Sequence, residues 1–191
     1  MKKYNVNNKK RNQALKQLVK VNISSAKGFV KFCYGLTWFM RILSIVLGML
    51  NVIYAVCVGD LLDLILVILT FVFPYLLSFL PATVYIVACG GEYRFRRNET
   101  ITITDMGFIY SYHDDRSNIT TERFSYNITF DNIKNIEYSE KTKVATLFGV
   151  IVEETYHGGS LVNKSEWAQI TFLNIFDIDV IEIVKREINR R

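Results

Sequence analysis

The stretch "VCVGDLLDLI", residues 56–65, sets two carboxylates, Asp60 and Asp63, beside Gly59 in the middle of an otherwise uncharged region. Whether they lie inside an apolar environment, or mark the point where the chain leaves it, decides the fold. Residues 42–58 upstream are an uncharged run of 17, and residues 64–91 downstream are one of 28. Each is long enough to cross a bilayer core, which takes roughly 20 helical residues. A carboxylate at the bilayer centre costs about 2.5–3.5 kcal/mol, whereas one in a turn at the membrane face costs little. The turn is therefore favoured over an intramembrane ion site, and the two runs read as a transmembrane hairpin over residues 36–91.

Charge is distributed unevenly around this hairpin. Residues 1–41 carry ten Lys and Arg and no acid, residues 42–91 carry only the two aspartates, and residues 92–191 carry thirteen bases against sixteen acids. The basic residues outside the hairpin and the absence of any in its loop place both termini in the cytoplasm, by the positive-inside rule. Forty-one residues precede the first run, too many for the basic head of a signal peptide. Asn51, the one strongly polar side chain in the first run, is expected to hydrogen-bond to a neighbouring helix. Pro74 and Pro81, the only prolines, are expected to bend the second.

The segment before the hairpin, residues 1–35, reads as a basic arm. On a helix over residues 12–33, Lys16, Lys20, Lys27 and Lys31 form one stripe, and Leu15, Leu18, Val19, Ala26, Phe29 and Val30 collect opposite. That pattern suits a helix in the headgroup layer with its lysines toward anionic lipid. Ser24, Ser25 and Gly28 weaken the middle, and residues 1–11 are expected to be disordered. Arg41, Arg94, Arg96 and Arg97 flank the two spans and join the four lysines as candidate contacts to anionic headgroups. Nucleic-acid binding, the sharper reading of a basic helix, is disfavoured beside a membrane span.

After Gly91 the periodicity falls to two. Ile101 and Ile103 alternate with threonines; Phe108, Tyr110 and Tyr112 follow a turn at 105–107; Phe124, Tyr126, Ile128 and Phe130 alternate again. Further strands are expected over 150–156, ending at His157-Gly158-Gly159, and over 167–174. A closing helix begins near Asp177 and Asp179, with Ile178, Ile181, Val184 and Ile188 on one face and bases at its end. The fold class is thus a two-helix membrane hairpin plus a mainly β domain of antiparallel curved sheet capped by a C-terminal helix, over residues 92–191.

The order of elements resembles the bacterial pleckstrin-homology-like (bPH, YdbS-like) membrane proteins, in which a transmembrane hairpin precedes a PH-like domain. The pieces that carry the resemblance are "ITITDMGFIYSY", "FDNIKNIEYSE", "TLFGVIVEETYHGG" and "FDIDVIEIVKREI". The chain departs from that pattern in its basic arm and in lacking a basic residue just before Leu147-Phe148-Gly149. The resemblance implies a PH-like fold and a membrane-tethered, non-catalytic role.

No constellation for catalysis is legible. Adjacent His113 and Asp114 face apart on a strand, as do Glu153 and Glu154. Gly158-Gly159 is followed by no P-loop Lys-Ser/Thr. Three cysteines and two distant histidines offer no metal-ligand spacing, so neither metal nor cofactor is expected. The expected function is a binding or scaffolding module that docks a protein or lipid, with an unknown protein partner and a possible homo-oligomer. The alternative is a small oligomeric pore or transport-related protein.

Overall fold

A computed structural model describes residues 1–58, 61–116 and 122–190, with side chains between 55 and 68 described only at 56, 57 and 65. The chain divides into two compact units, Met1–Leu18 with Glu92–Arg191, and Val19–Gly91.

In the first unit the period-two stretches form one antiparallel sheet. Its strands are β1 (Lys2–Asn5), β2 (Arg96–Ile103), β3 (Gly107–Asp114), β4 (Glu122–Thr129), β5 (Ile133–Ser139), β6 (Val144–His157) and β7 (Ser160–Leu173). They run in the order β1-β2-β3-β4-β6-β5, with β7 paired to β6. The 14-residue β6 gives one edge to β7 and shares the other: Val152–His157 against β4, Val144–Gly149 against β5. Splitting one long strand between two neighbours curls the sheet. Gly149 sits at the changeover, where a Cβ would lie 2.0 Å from the carbonyl oxygen of Asn132. The β6–β7 reversal at Gly158 and Gly159 has φ values of 57° and 89°, which glycine adopts without steric cost.

The concave side encloses Ile101, Phe108, Tyr110, Ile128, Phe130, Leu147, Ile151, Ile170 and Phe172. Helix α5 (Val180–Asn189) packs Val180, Ile181 and Val184 against them. Asp179 caps this helix, its carboxylate accepting from the N–H groups of Ile181 and Glu182.

The N-terminus differs from expectation. Residues 1–11 are ordered: β1 pairs with β2 from Lys2 opposite Ile103 to Asn5 opposite Thr100, and helix α1 (Asn8–Ser25) follows, capped by Asn7. Ala14 is buried with Leu173 and Ile175, and Leu15 packs against the same cluster. Strand β2 offered an open edge, and pairing it satisfied a row of backbone groups that the basic composition alone did not reveal.

In the second unit, α2 (Phe29–Val58) packs against α3 (Leu61–Leu77) and α4 (Phe79–Gly90). Helix α2 presents Thr37, Arg41, Ser44, Gly48 and Asn51 at alternating spacings of four and three, a single seam of small or polar side chains. A Cβ on Gly48 would lie 2.8 Å from the Phe71 ring, so glycine admits that ring to the seam. Asn51 Nδ2 donates to Thr70 Oγ1 at 2.7 Å, as its position led one to expect. In the second apolar run Pro81 has no N–H to give the carbonyl of Leu77, which sets the boundary between α3 and α4 at Ser78. The helical path continues through it: Ser78 keeps right-handed helical angles, its N–H donates to the Pro74 carbonyl at 3.0 Å, and its own carbonyl accepts from the Ala82 N–H at 3.2 Å. Asp60 lies outside the described residues; Asp63 falls in the first turn of α3, its side chain undescribed.

Candidate functional site

Two helical segments, Phe29–Tyr54 and Leu69–Arg94, are long and apolar enough to cross a membrane. Around them the eight candidate headgroup contacts separate into distinct environments. Lys16 and Lys20 are exposed on α1, Lys27 is exposed in the connection after it, and Lys31 is exposed on α2. The stripe is therefore not carried by one helix: Gly28, at φ 59°, separates α1 from α2. Nor is the apolar side of α1 all available to lipid, because Ala14 and Leu15 are spent on the sheet domain. Arg41 lies half-buried along the α2 seam, Nε donating to Ser78 Oγ at 3.3 Å, with its guanidinium 5.8 Å from the Tyr75 and Phe79 ring centres. Arg94 is exposed, and exposed Arg97 is paired with Asp115.

Arg96 corrects the sequence reading. It is 6% exposed and sits inside the sheet domain, not at a headgroup. Its Nη1 donates to the carbonyl of Thr171 at 2.6 Å and to Tyr110 Oη at 3.4 Å. Its guanidinium lies 4.7 Å from the Tyr112 ring centre and 4.9 Å from that of Tyr93. Tyr110 Oη in turn donates to Glu99 Oε2 at 2.6 Å, and Glu99 Oε1 accepts from Arg11 Nε at 3.2 Å. The result is a buried chain, Arg11–Glu99–Tyr110–Arg96, linking the start of α1 to β2, β3 and β7. Burial pushes the Glu99 carboxyl above its ordinary range, against the opposing pull of the Tyr110 hydroxyl and the Arg11 charge. A register shift between Arg97 and Thr100 on β2 marks where this polar chain enters the sheet.

Beside this chain lies a cleft of about 800 Å³, which Arg11 and Glu99 themselves help to line. Its lining includes Lys3 from β1, Arg11 from α1, Arg97, Thr100 and Thr102 from β2, Ser111 and His113 from β3, and Arg123 from β4. Thr100 and Ser111 hydroxyls are 3.3 Å apart across the strands. Arg123 lies over Tyr156 with 5.3 Å to the ring centre. The alternation of Thr100 and Thr102 with Ile101 and Ile103 already marked this face as polar. The pairing of β1, which brings Lys3 to it, had no such signal.

His113 and Asp114, considered together as a base and its orienter, each have a partner of their own. His113 Nδ1 lies 3.0 Å from the carbonyl of Glu122, and Asp114 is held by Arg116, which lowers its carboxyl below the usual range. His157 Nε2 lies 3.0 Å from Glu122 Oε1. Among the described residues no cluster of three metal-ligating side chains forms. Comparison with known proteins returns no match: no protein family, curated protein or solved structure aligns with the chain.

Proposed function

We propose that the chain is an integral membrane protein whose two long apolar helices cross the bilayer as a hairpin, with both termini and the sheet domain in the cytoplasm. In this reading the sheet domain is a PH-like, non-catalytic module that docks a protein or an anionic lipid headgroup. The observation that carries the proposal is the pair of span-length helices with outward-facing apolar side chains, among them Ile42, Met49, Ile53, Leu69 and Phe73. From Val58 back to Arg41 the helix rises about 25 Å, close to the thickness of a hydrocarbon core. Arg41 then stands at the cytoplasmic boundary, and Tyr34, Trp38 and Tyr85 beyond it suit an aromatic belt. The PH-like assignment draws support from a curled antiparallel sheet closed by a C-terminal helix. A pore reading gains nothing from Asn51, whose side chain is spent on Thr70.

Topology is tested in sealed cells with Asp60→Cys and Ser160→Cys, each in a Cys57→Ser background. Impermeant maleimide is expected to label position 60 from outside and position 160 only after permeabilisation. Labelling of position 160 in intact cells would overturn the orientation. Lipid contact is tested by mass spectrometry of lipids that co-purify with the full chain. Replacing Lys16, Lys20, Lys27 and Lys31 together by Gln removes up to about 1 kcal/mol each at an anionic surface, so anionic lipid retention should fall several-fold. Retention equal to that of the unmodified protein would remove the lysines from the headgroup contact.

A further inference from the structure

Strand β7 leaves one edge open. Its only strand partner among the described residues is β6, and residues 160–169 are exposed almost throughout, including Leu161, Val162 and Trp167. Two observations fix which backbone groups face outward. Asn174 N–H donates to the Lys143 carbonyl at 2.8 Å, continuing the register that sets Val144 opposite Leu173. Even-numbered residues therefore aim their backbone groups at β6, and odd-numbered ones aim away. Consistently, the carbonyl of Thr171 accepts not from β6 but from Arg96. Beyond that cap, Asn163, Ser165, Trp167 and Gln169 present N–H and C=O to the open edge. A register shift beside Val162 sets the limit of the regular stretch at Asn163.

We infer that β7 pairs antiparallel with β7 of a second copy of this chain, about a two-fold axis at Ser165. A two-fold axis normal to the sheet requires that paired residue numbers add to an even constant, since side chains of a pair share a face. Centring on Lys164 or on Glu166 would set that residue against its own like charge. Centring on Ser165 places Lys164 opposite the partner's Glu166, and Glu166 opposite the partner's Lys164. Ser165 then exchanges both backbone hydrogen bonds with the partner's Ser165, and Asn163 does so with the partner's Trp167. The even-numbered charged pair falls at the non-hydrogen-bonded positions, where Cα atoms approach to about 4.5 Å and side chains meet most closely. Trp167, its Nε1 donating to Ser165 Oγ at 3.2 Å, lies along the strand on the opposite face from the two charges. Lys164, already 3.7 Å from Glu154, would join two acids in one cross-strand row.

The test uses the full chain in detergent, with the monomer–dimer balance measured over a dilution series. Glu166→Lys alone turns both ion pairs into repulsions and should raise the dissociation constant about tenfold or more, as should Lys164→Glu. The charge swap K164E/E166K should return it to within about threefold of the starting value. Register is read separately by oxidative cross-linking in a Cys57→Ser background. Ser165→Cys should form a disulfide with its copy, since hydrogen-bonded pairs stand about 5.5 Å apart. Asn163→Cys and Trp167→Cys should cross-link when mixed, and neither alone. A protein that stays monomeric, a dimer indifferent to Glu166→Lys, or cross-linking at another centre would overturn the inference.

Discussion

Replacing Arg11 by Ala is expected to lower the stability of the sheet domain by about 3–5 kcal/mol, the range for breaking a buried ion pair at one end. Glu99 is 1% exposed, and without Arg11 its carboxylate keeps, among the described residues, the Tyr110 hydroxyl as its hydrogen-bond donor. Arg11 also donates from Nη2 to the carbonyls of Tyr93 and Arg94 at 3.1 and 3.3 Å, and to that of Arg96. Those three carbonyls lie at the entry to β2, so the change loosens the start of the sheet as well. The effect should depend on pH in a defined sense. A carboxyl whose folded-state pKa is raised contributes stability that is full below its unfolded value, about 4.3, and is lost as pH rises through the folded value. Burial raises Glu99 already, and loss of Arg11 removes one of the pulls that oppose the rise. The deficit of Arg11→Ala relative to the unmodified protein should therefore be widest at neutral pH and narrow toward about pH 4. Adding Glu99→Gln should restore much of it at neutral pH. Thermal unfolding of the full chain at both pH values checks this, and a deficit that widens on acidification would contradict it.

The same residues show how far the fold could be read in advance. Periodicity alone located β2, β3 and β4 and the apolar face of α5, because each has one side buried and one side polar. The two apolar runs were equally plain, and so was the role of Asn51. What was hidden depended on partners distant in sequence. Residues 1–11 look like a disordered basic tail, but Lys2–Asn5 gains a ladder from β2, and Arg11 gains a buried acid 88 residues away. Arg96 sits within six residues of the second apolar run and reads naturally as a headgroup contact. Its burial becomes visible only once Tyr110 and Tyr112 from β3 and Tyr93 surround it. Strands β6 and β7 were located but shortened, since the outer half of β7 lacks the buried side that makes alternation detectable. The cleft followed the same rule: its threonines were legible as an outward face, its cations were not.

Ile181→Asp should unfold the sheet domain outright. Ile181 is 4% exposed and lies with Val180 and Val184 against the concave core. Losing such a side chain removes about 1.5–3 kcal/mol of burial, and an unpaired carboxylate there adds several more in desolvation. Against a net stability of about 5–15 kcal/mol, that sum leaves little or nothing. Helix α5 cannot simply detach to relieve the charge, because the concave face beneath it would then be left in water. Ile136→Asp should cost less, since Ile136 is only partly buried at the core margin. Lys143→Asp serves as the control. Lys143 lies in the β5–β6 turn at φ 59°, a conformation that Asp tolerates better than most residues, so stability should hardly change. The graded order Ile181, Ile136, Lys143 is measured by thermal unfolding of the full chain, followed through its β-sheet circular-dichroism signal. Because the domain draws on residues 1–18 as well as 92–191, a fragment beginning at 92 would lack β1 and Arg11 and would not be an equivalent test. An Ile181→Asp protein that melts cooperatively at the temperature of the unmodified chain would mean that α5 does not close the core.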